Sequence, residues 1–171
     1  MSTGTTIYDV AARLVTDVST ELSAVGLAVT RAAVYPAMIP WDGCECGTLA
    51  VAVQRQYLTT SFPAVADAEQ VPCGGGFVAA DLLVQLLRCA PTPDGRSVAP
   101  GVGPLEDTAK LILTDAWVAL STAQCTLAAL EEEGVIVEYV VRPQAFAGPQ
   151  GGCVGSVLAV TVAVEQSGTL T

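Results

Sequence analysis

Six cysteines and no histidine set the limits on any chemistry this chain can do. Cys44 and Cys46 stand one residue apart, while Cys73, Cys89, Cys125 and Cys153 each stand alone. Structural zinc takes cysteine pairs with two to four intervening residues, twice over, or fills the set with histidines. One C-x-C and four solitary cysteines do not make that set, so no metal is expected. Disulfide bonding and burial as small hydrophobes remain for the thiols. The lack of histidine also excludes Ser-His-Asp and Cys-His relays. A two-carboxylate hydrolase needs its acids held together in a cleft. Asp9, Asp17, Asp42, Asp67, Asp81, Asp94, Glu106 and Asp107 are scattered and suggest solvated surface acids instead. The run CGGGF at 73–77 lacks the Lys and Ser/Thr of a phosphate loop and precedes a strand rather than a helix. No catalytic residue, cofactor or metal is expected, and the chain does not read as an enzyme.

The elements that would position these residues are led by the stretch 103–134, GPLEDTAKLILTDAWVALSTAQCTLAALEEEG. Pro104 suits a first helical position, Glu106 and Asp107 suit the positive end of the helix dipole, and Gly134 suits a left-handed stop. Leu105, Ala109, Ile112, Ala116, Leu120, Ala123, Leu127 and Leu130 trace one apolar stripe at spacings of three and four. Leu113, Trp117 and Cys125 lie off that stripe. Residues 6–25 form an earlier helix, with Thr6 as cap, Gly26 as stop and Ile7, Val10, Ala11, Leu14, Val18, Leu22 and Val25 as its inner face. Strands are expected over 27–34, 47–60, 77–89, 135–142 and 154–164. For 77–89 a helix competes, because Asp81, Gln85 and Arg88 fall at irregular spacing. The order α–β–β–β–α–β–β indicates an α+β fold, a mostly antiparallel sheet with two helices packed on one face. Residues 1–171 make a single domain with loose ends at about 1–5 and 167–171.

Composition narrows the function classes. Hydrophobic residues make up 51% and charged residues only 14%, which excludes disorder and leaves apolar surface for other subunits. A net charge of −10, with Lys110 as the single lysine, lacks the clustered cations that hold nucleic acid. No basic stretch followed by an apolar core suggests a secretory signal, and no run of about 20 apolar residues suggests a membrane span.

Three segments carry a resemblance to a known family. They are WDGCECGTL at 41–49, RCAPTP at 88–93 and GPQGGCVG at 148–155. In this order they resemble the WD-x-C-x-C-G-x-L, RC-x-P-x-P and GP-x-GGC-x-G segments of small neck proteins of long-tailed phages infecting actinobacteria. The likeness spans Trp41 to Val164. The element order is also similar to that of tail terminator proteins. The resemblance implies a structural virion protein at the head–tail neck, assembled in the host cytoplasm. It would form a homo-oligomeric ring, a hexamer, capping the tail tube and joining it to the head-closure or connector protein. Genomic DNA would pass through without tight binding. A head-closure or other neck ring is the alternative within the same class, and a small non-catalytic binding module is a more distant one.

Four expectations about sites follow. The loops 35–43, 61–76 and 90–103 are long enough to contact neighbouring rings. Within the first, Trp41, flanked by Pro40 and Asp42, is either an inter-ring anchor or a plug in its own core. Leu113, Trp117 and Cys125 mark a subunit-contact face on the long helix. If 48–60 and 77–89 pair antiparallel, Cys46 falls opposite Cys89, with Cys44 just outside. Closing that loop of about 43 residues would remove something like 4 kcal/mol of unfolded-state entropy. No pairing follows for Cys73, Cys125 or Cys153.

Overall fold

The computed structural model describes residues 6–37, 47–66, 71, 75–93 and 98–165. Two helices and six strands follow in the order α1 (Ile7–Ala24), β1 (Arg31–Tyr35), β2 (Thr48–Thr59), β3 (Phe77–Cys89), α2 (Val102–Glu132), β4 (Glu138–Val141), β5 (Ala145–Gln150) and β6 (Cys153–Glu165). The α+β class and the order of elements are as expected, with β5 added.

Each helix is bounded by local chemistry. The Thr6 hydroxyl accepts from the Asp9 N–H at 3.2 Å, and the Asp9 carboxylate accepts from the Thr6 N–H at 2.8 Å. This reciprocal box occupies two of the donors that a helix start leaves open. Both helices end alike. Gly26 and Gly134 take positive φ of 79° and 71°. Leu27 N–H then returns to Leu22 O at 2.8 Å, and Val135 N–H to Leu130 O at 2.9 Å. The hydrophobic pairs Leu22–Leu27 and Leu130–Val135 accompany these closures.

The sheet runs β1-β2-β3-β6-β4, with β5 sharing the outer side of β6. β3 and β6 are the central pair, in register from Phe77↔Glu165 to Cys89↔Cys153. All pairings are antiparallel except β1 with β2. That parallel step is made possible by residues 36–47, about the dozen a crossover needs. β5 occupies a stretch expected as turn, because Gly148 (φ 114°) and Pro149 look like breakers in sequence; the strand absorbs them as a register shift between Ala147 and Gln150.

Both helices lie on one face of the sheet and touch each other, α1 over β1 and β2, α2 over β6, β3 and β4. The core between the layers joins Val10, Leu14, Val18 and Leu22 of α1 to Leu49, Val51, Leu82, Leu86, Leu158 and Val160 of the sheet and to Ala119, Ala123 and Leu127 of α2. α2 departs from expectation in two respects. It begins at Val102, with Gly101 as cap, so Pro104 is its third residue rather than its first, and Glu106 and Asp107 fall beyond the first turn. Its buried residues are Ile112, Asp115, Ala116, Val118, Ala119, Ala123, Thr126, Leu127 and Leu130, while Leu105 is 47% exposed. The helix starts before the sheet can cover it. By length and composition alone α2 is apolar enough to cross a membrane, although no unbroken run of 20 apolar residues exists; packing on the sheet covers only its inner side, 39% of its most apolar stretch.

Candidate interaction surface

A buried ion pair fixes how α2 sits. Arg88, near the end of β3, is 6% exposed, and Asp115 on α2 is 1% exposed. The guanidinium donates from Nε to Asp115 Oδ2 at 2.6 Å and from Nη2 to Oδ1 at 2.9 Å. It also donates to the carbonyls of Leu27 (2.6 Å) and Ala28 (3.1 Å), just after α1. A planar fork matches a carboxylate in this two-bond geometry. One side chain thus joins β3, α2 and the exit of α1. Gly47 makes room for it, since a Cβ there would come within 2.9 Å of Arg88 Nη1.

With Asp115 turned inward, the outer side of α2 carries no charge from Leu111 to Leu130; its exposed residues there are Leu113, Thr114, Trp117 and Gln124, while Cys125 is exposed toward α1. A surface helix of a monomer ordinarily turns charged residues to solvent. Trp117 is 70% exposed and Leu113 59%. Leu113 borders a groove with Phe146 of β5, itself 55% exposed. A second groove, of ≈ 420 Å³, adjoins the first through Ala109, Ile112 and Val154, and its walls include Pro91, Pro93, Pro100, Leu105 and Pro149. Among the described residues, neither groove has a charged residue in its lining. Leu105, Ala109 and Ile112 of α2, the prolines Pro91, Pro93 and Pro100, and the β5–β6 corner therefore form one apolar face, with Glu106, Asp107 and Lys110 exposed on the same turns of the helix. Arg88–Asp115 holds its helix in place.

Leu113 and Trp117 are on this face as expected, but Cys125 is not with them. It lines a polar cleft between the helices, beside Asp17, Thr20, Glu21 and Thr126, and is a free thiol. There the Thr126 hydroxyl donates to Asp17 at 2.9 Å, and Arg13 pairs with the same carboxylate from one turn away. Phe146 and Pro149 were missed because their turn-rich setting gives no periodic signal, whereas Leu105 was expected in the inner stripe and stands instead at the groove, part-exposed. Trp41, Asp42, Pro40, Cys44, Cys46 and Cys73 lie outside the described residues, as do large parts of the three long loops.

The strand register places Thr48 against Leu87 and Leu49 against Leu86, the pairing from which Cys46 was expected opposite Cys89. Cys89 and Cys153 both take part in disulfide bonds. Cys153, for which the sequence offered no pairing, is thus oxidised as well, and it faces Cys89 across β3 and β6.

The other face of the sheet carries a polar row. Arg55 of β2 pairs with Asp81 of β3, and Thr161 of β6 donates to Asp81 Oδ1 at 2.8 Å. Burial pushes the Asp81 carboxyl up, but hydrogen bonds from Arg55 and Thr161 and the charges of Arg55 and Arg142 outweigh it, so it rests below the ordinary value. Arg55 also lies over the Tyr57 ring at 5.1 Å. Arg55 and Arg88 point to opposite sides of the sheet and each is spoken for by a carboxylate, so they do not combine into a basic surface; Arg96 lies outside the described residues. Among the described residues, no group of three or more cysteines and acids is arranged to hold a metal ion. No protein-family model matches the chain, and no curated protein matches it.

Proposed function

We propose that this protein is a structural ring subunit of the head–tail neck of a long-tailed phage, a tail terminator that caps the tail tube and joins it to the head connector. The reading starts from the three motif segments between Trp41 and Val164. The observation that carries it furthest is the uncharged apolar face of α2, with Trp117 and Leu113 standing out of it. An exposed apolar face of this kind marks an interaction site, and a ring subunit must cover one against its neighbour. The acidic balance supports the same reading. At −10 per copy, six copies carry about −60, which turns phosphates away at close range, while salt screens the field beyond roughly 8 Å. Such a lumen lets DNA slide without holding it.

The test is location and loss. Density for this chain as a closed ring between tail tube and connector in images of intact virions is the expected result. Particles made without the protein should contain filled heads and unjoined tails. Joined, infectious particles lacking the chain would refute the reading, and a ring seated directly under the portal would move it to a head-closure role. Free protein should not shift duplex DNA at physiological salt; a shift with a salt slope of several charges would refute the acidic channel.

A further inference from the structure

We propose that Trp117 and Leu113 of one copy insert into the proline-walled groove of the next, so that the ring closes head to tail through α2; this rests on the ring reading above. The two surfaces differ, as a ring contact requires. A contact between unlike patches propagates around a closed ring, whereas a self-complementary patch stops at a dimer. The projecting part is Leu113 and Trp117, a turn apart on the outer flank of α2. The receiving part is the groove walled by Pro91, Pro93, Pro100, Leu105, Ile112 and Pro149. Prolines make a rigid wall that loses little entropy on contact.

Charge selects a second copy as the occupant. A chain with 17 acidic and 7 basic residues meets itself almost anywhere with carboxylate against carboxylate, and like charges brought together at an interface cost several kcal/mol. Among the described residues, the outer side of α2 from Leu111 to Leu130 and the linings of both grooves are free of exposed charge, while Glu106, Asp107 and Lys110 stand exposed on the turns before. The centre of this face lets two copies of so acidic a chain approach without that repulsion, and a basic partner would find no carboxylate there. In a head-to-tail contact one copy gives Leu113 and Trp117 and the next gives the groove. At about 150–250 Å² for a large side chain, the exposed parts of those two side chains contribute roughly 250–300 Å² as the centre of the contact. The surrounding residues make up the rest of the ~800 Å² that each partner gives to a standard interface.

The experiment compares wild type, Trp117→Glu and Leu105→Glu by sedimentation velocity and native mass spectrometry. Both altered positions are exposed, and circular dichroism checks that each variant is folded; Trp117→Gln and Leu105→Gln replace any that is not. Wild type should assemble beyond a dimer. Each variant should dissociate, with its association weakened at least about thirty-fold, the loss expected of an interface hot spot. An equimolar mixture should form a one-to-one heterodimer and nothing larger, because one intact projection meets one intact groove. A mixture that stays monomeric overturns the head-to-tail arrangement. Assembly untouched by both changes overturns this surface and leaves the ring reading standing. A wild type that is monomeric at every concentration overturns both. Flotation of wild type with phosphatidylcholine vesicles, abolished by Trp117→Glu, would give the face to a lipid surface and overturn the proposal.

Discussion

Removing one partner of the buried ion pair should be the most damaging single change of charge in this protein. In Asp115→Ala the Arg88 guanidinium keeps its bonds to the Leu27 and Ala28 carbonyls but loses both carboxylate bonds, while 6% exposed. Breaking a buried pair in this way costs about 3–5 kcal/mol, a large share of the 5–15 kcal/mol that holds a typical domain folded. For a chain of this size each kcal/mol lowers Tm by about 2–4 °C, so a fall of about 6–20 °C is expected. Arg88→Met should do similar harm, leaving the Asp115 carboxylate and the two carbonyls without their donor. The double variant Arg88→Met with Asp115→Leu should recover much of the loss, since a well-packed apolar pair often matches a buried ion pair. Calorimetry at one fixed protomer concentration measures this, because any self-association would also shift Tm. A fall of under about 2 °C for Asp115→Ala, or single effects that simply add in the double variant, would refute the coupling of β3, α2 and the α1 exit through Arg88.

Three further outcomes are expected. Alkylation of the unfolded, unreduced protein should label no more than four of the six cysteines, Cys89 and Cys153 being oxidised, and in the folded protein Cys125 should react fastest; six labels by intact mass would contradict this. Stability should decline in acid: the Thr6 N–H and hydroxyl hold Asp9 below the ordinary carboxylate value, and Asp81 is also lowered. Their contribution is therefore complete above about pH 4 and is lost as pH falls through the lowered folded values; Asp81→Asn should flatten that decline in urea titrations, and an unchanged slope would show that its pairs do not matter. Gly155→Ala should lower Tm at least as far as Asp115→Ala or yield insoluble protein, because a Cβ there would lie 1.8 Å from the Leu86 carbonyl oxygen, backbone against backbone; a soluble variant with wild-type Tm would contradict the close approach of β3 and β6.

Local signals were legible and distant ones were not. Thr6, Gly26 and Gly134 bound their helices by short-range hydrogen bonds, so their residue types suffice. Phe77–Cys89 is ambiguous by eye, yet as a strand it sets Asp81 and Gln85 on one face and Arg88 on the other, where α2 supplies the carboxylate. Nothing near Arg88 announces Asp115, and a charge inside an apolar run looks like surface. The same ignorance shifted the predicted stripe of α2. Leu105 is apolar and keeps the period but lies beyond the sheet, whereas Asp115 keeps the spacing but is charged, and is buried. Gly148 and Pro149 hid β5 because strand pairing to β6 overrides their preference for turns.

The interaction face and the buried pair have one cause. An ordinary surface helix puts apolar residues inward and carboxylates outward. Between Leu111 and Leu130, α2 sends its single carboxylate inward to Arg88 and turns Leu113 and Trp117 to the outside. Reversing the two would give a more soluble monomer with a simpler core. The sequence instead accepts the desolvation of an ion pair, which orients without adding much net stability, and keeps the outer flank neutral in a chain of −10. That arrangement is costly for a protein that acts alone. It suits a subunit whose outer helix face meets another copy, because the pair sets the angle of the helix that presents Trp117 and the absence of charge allows the approach.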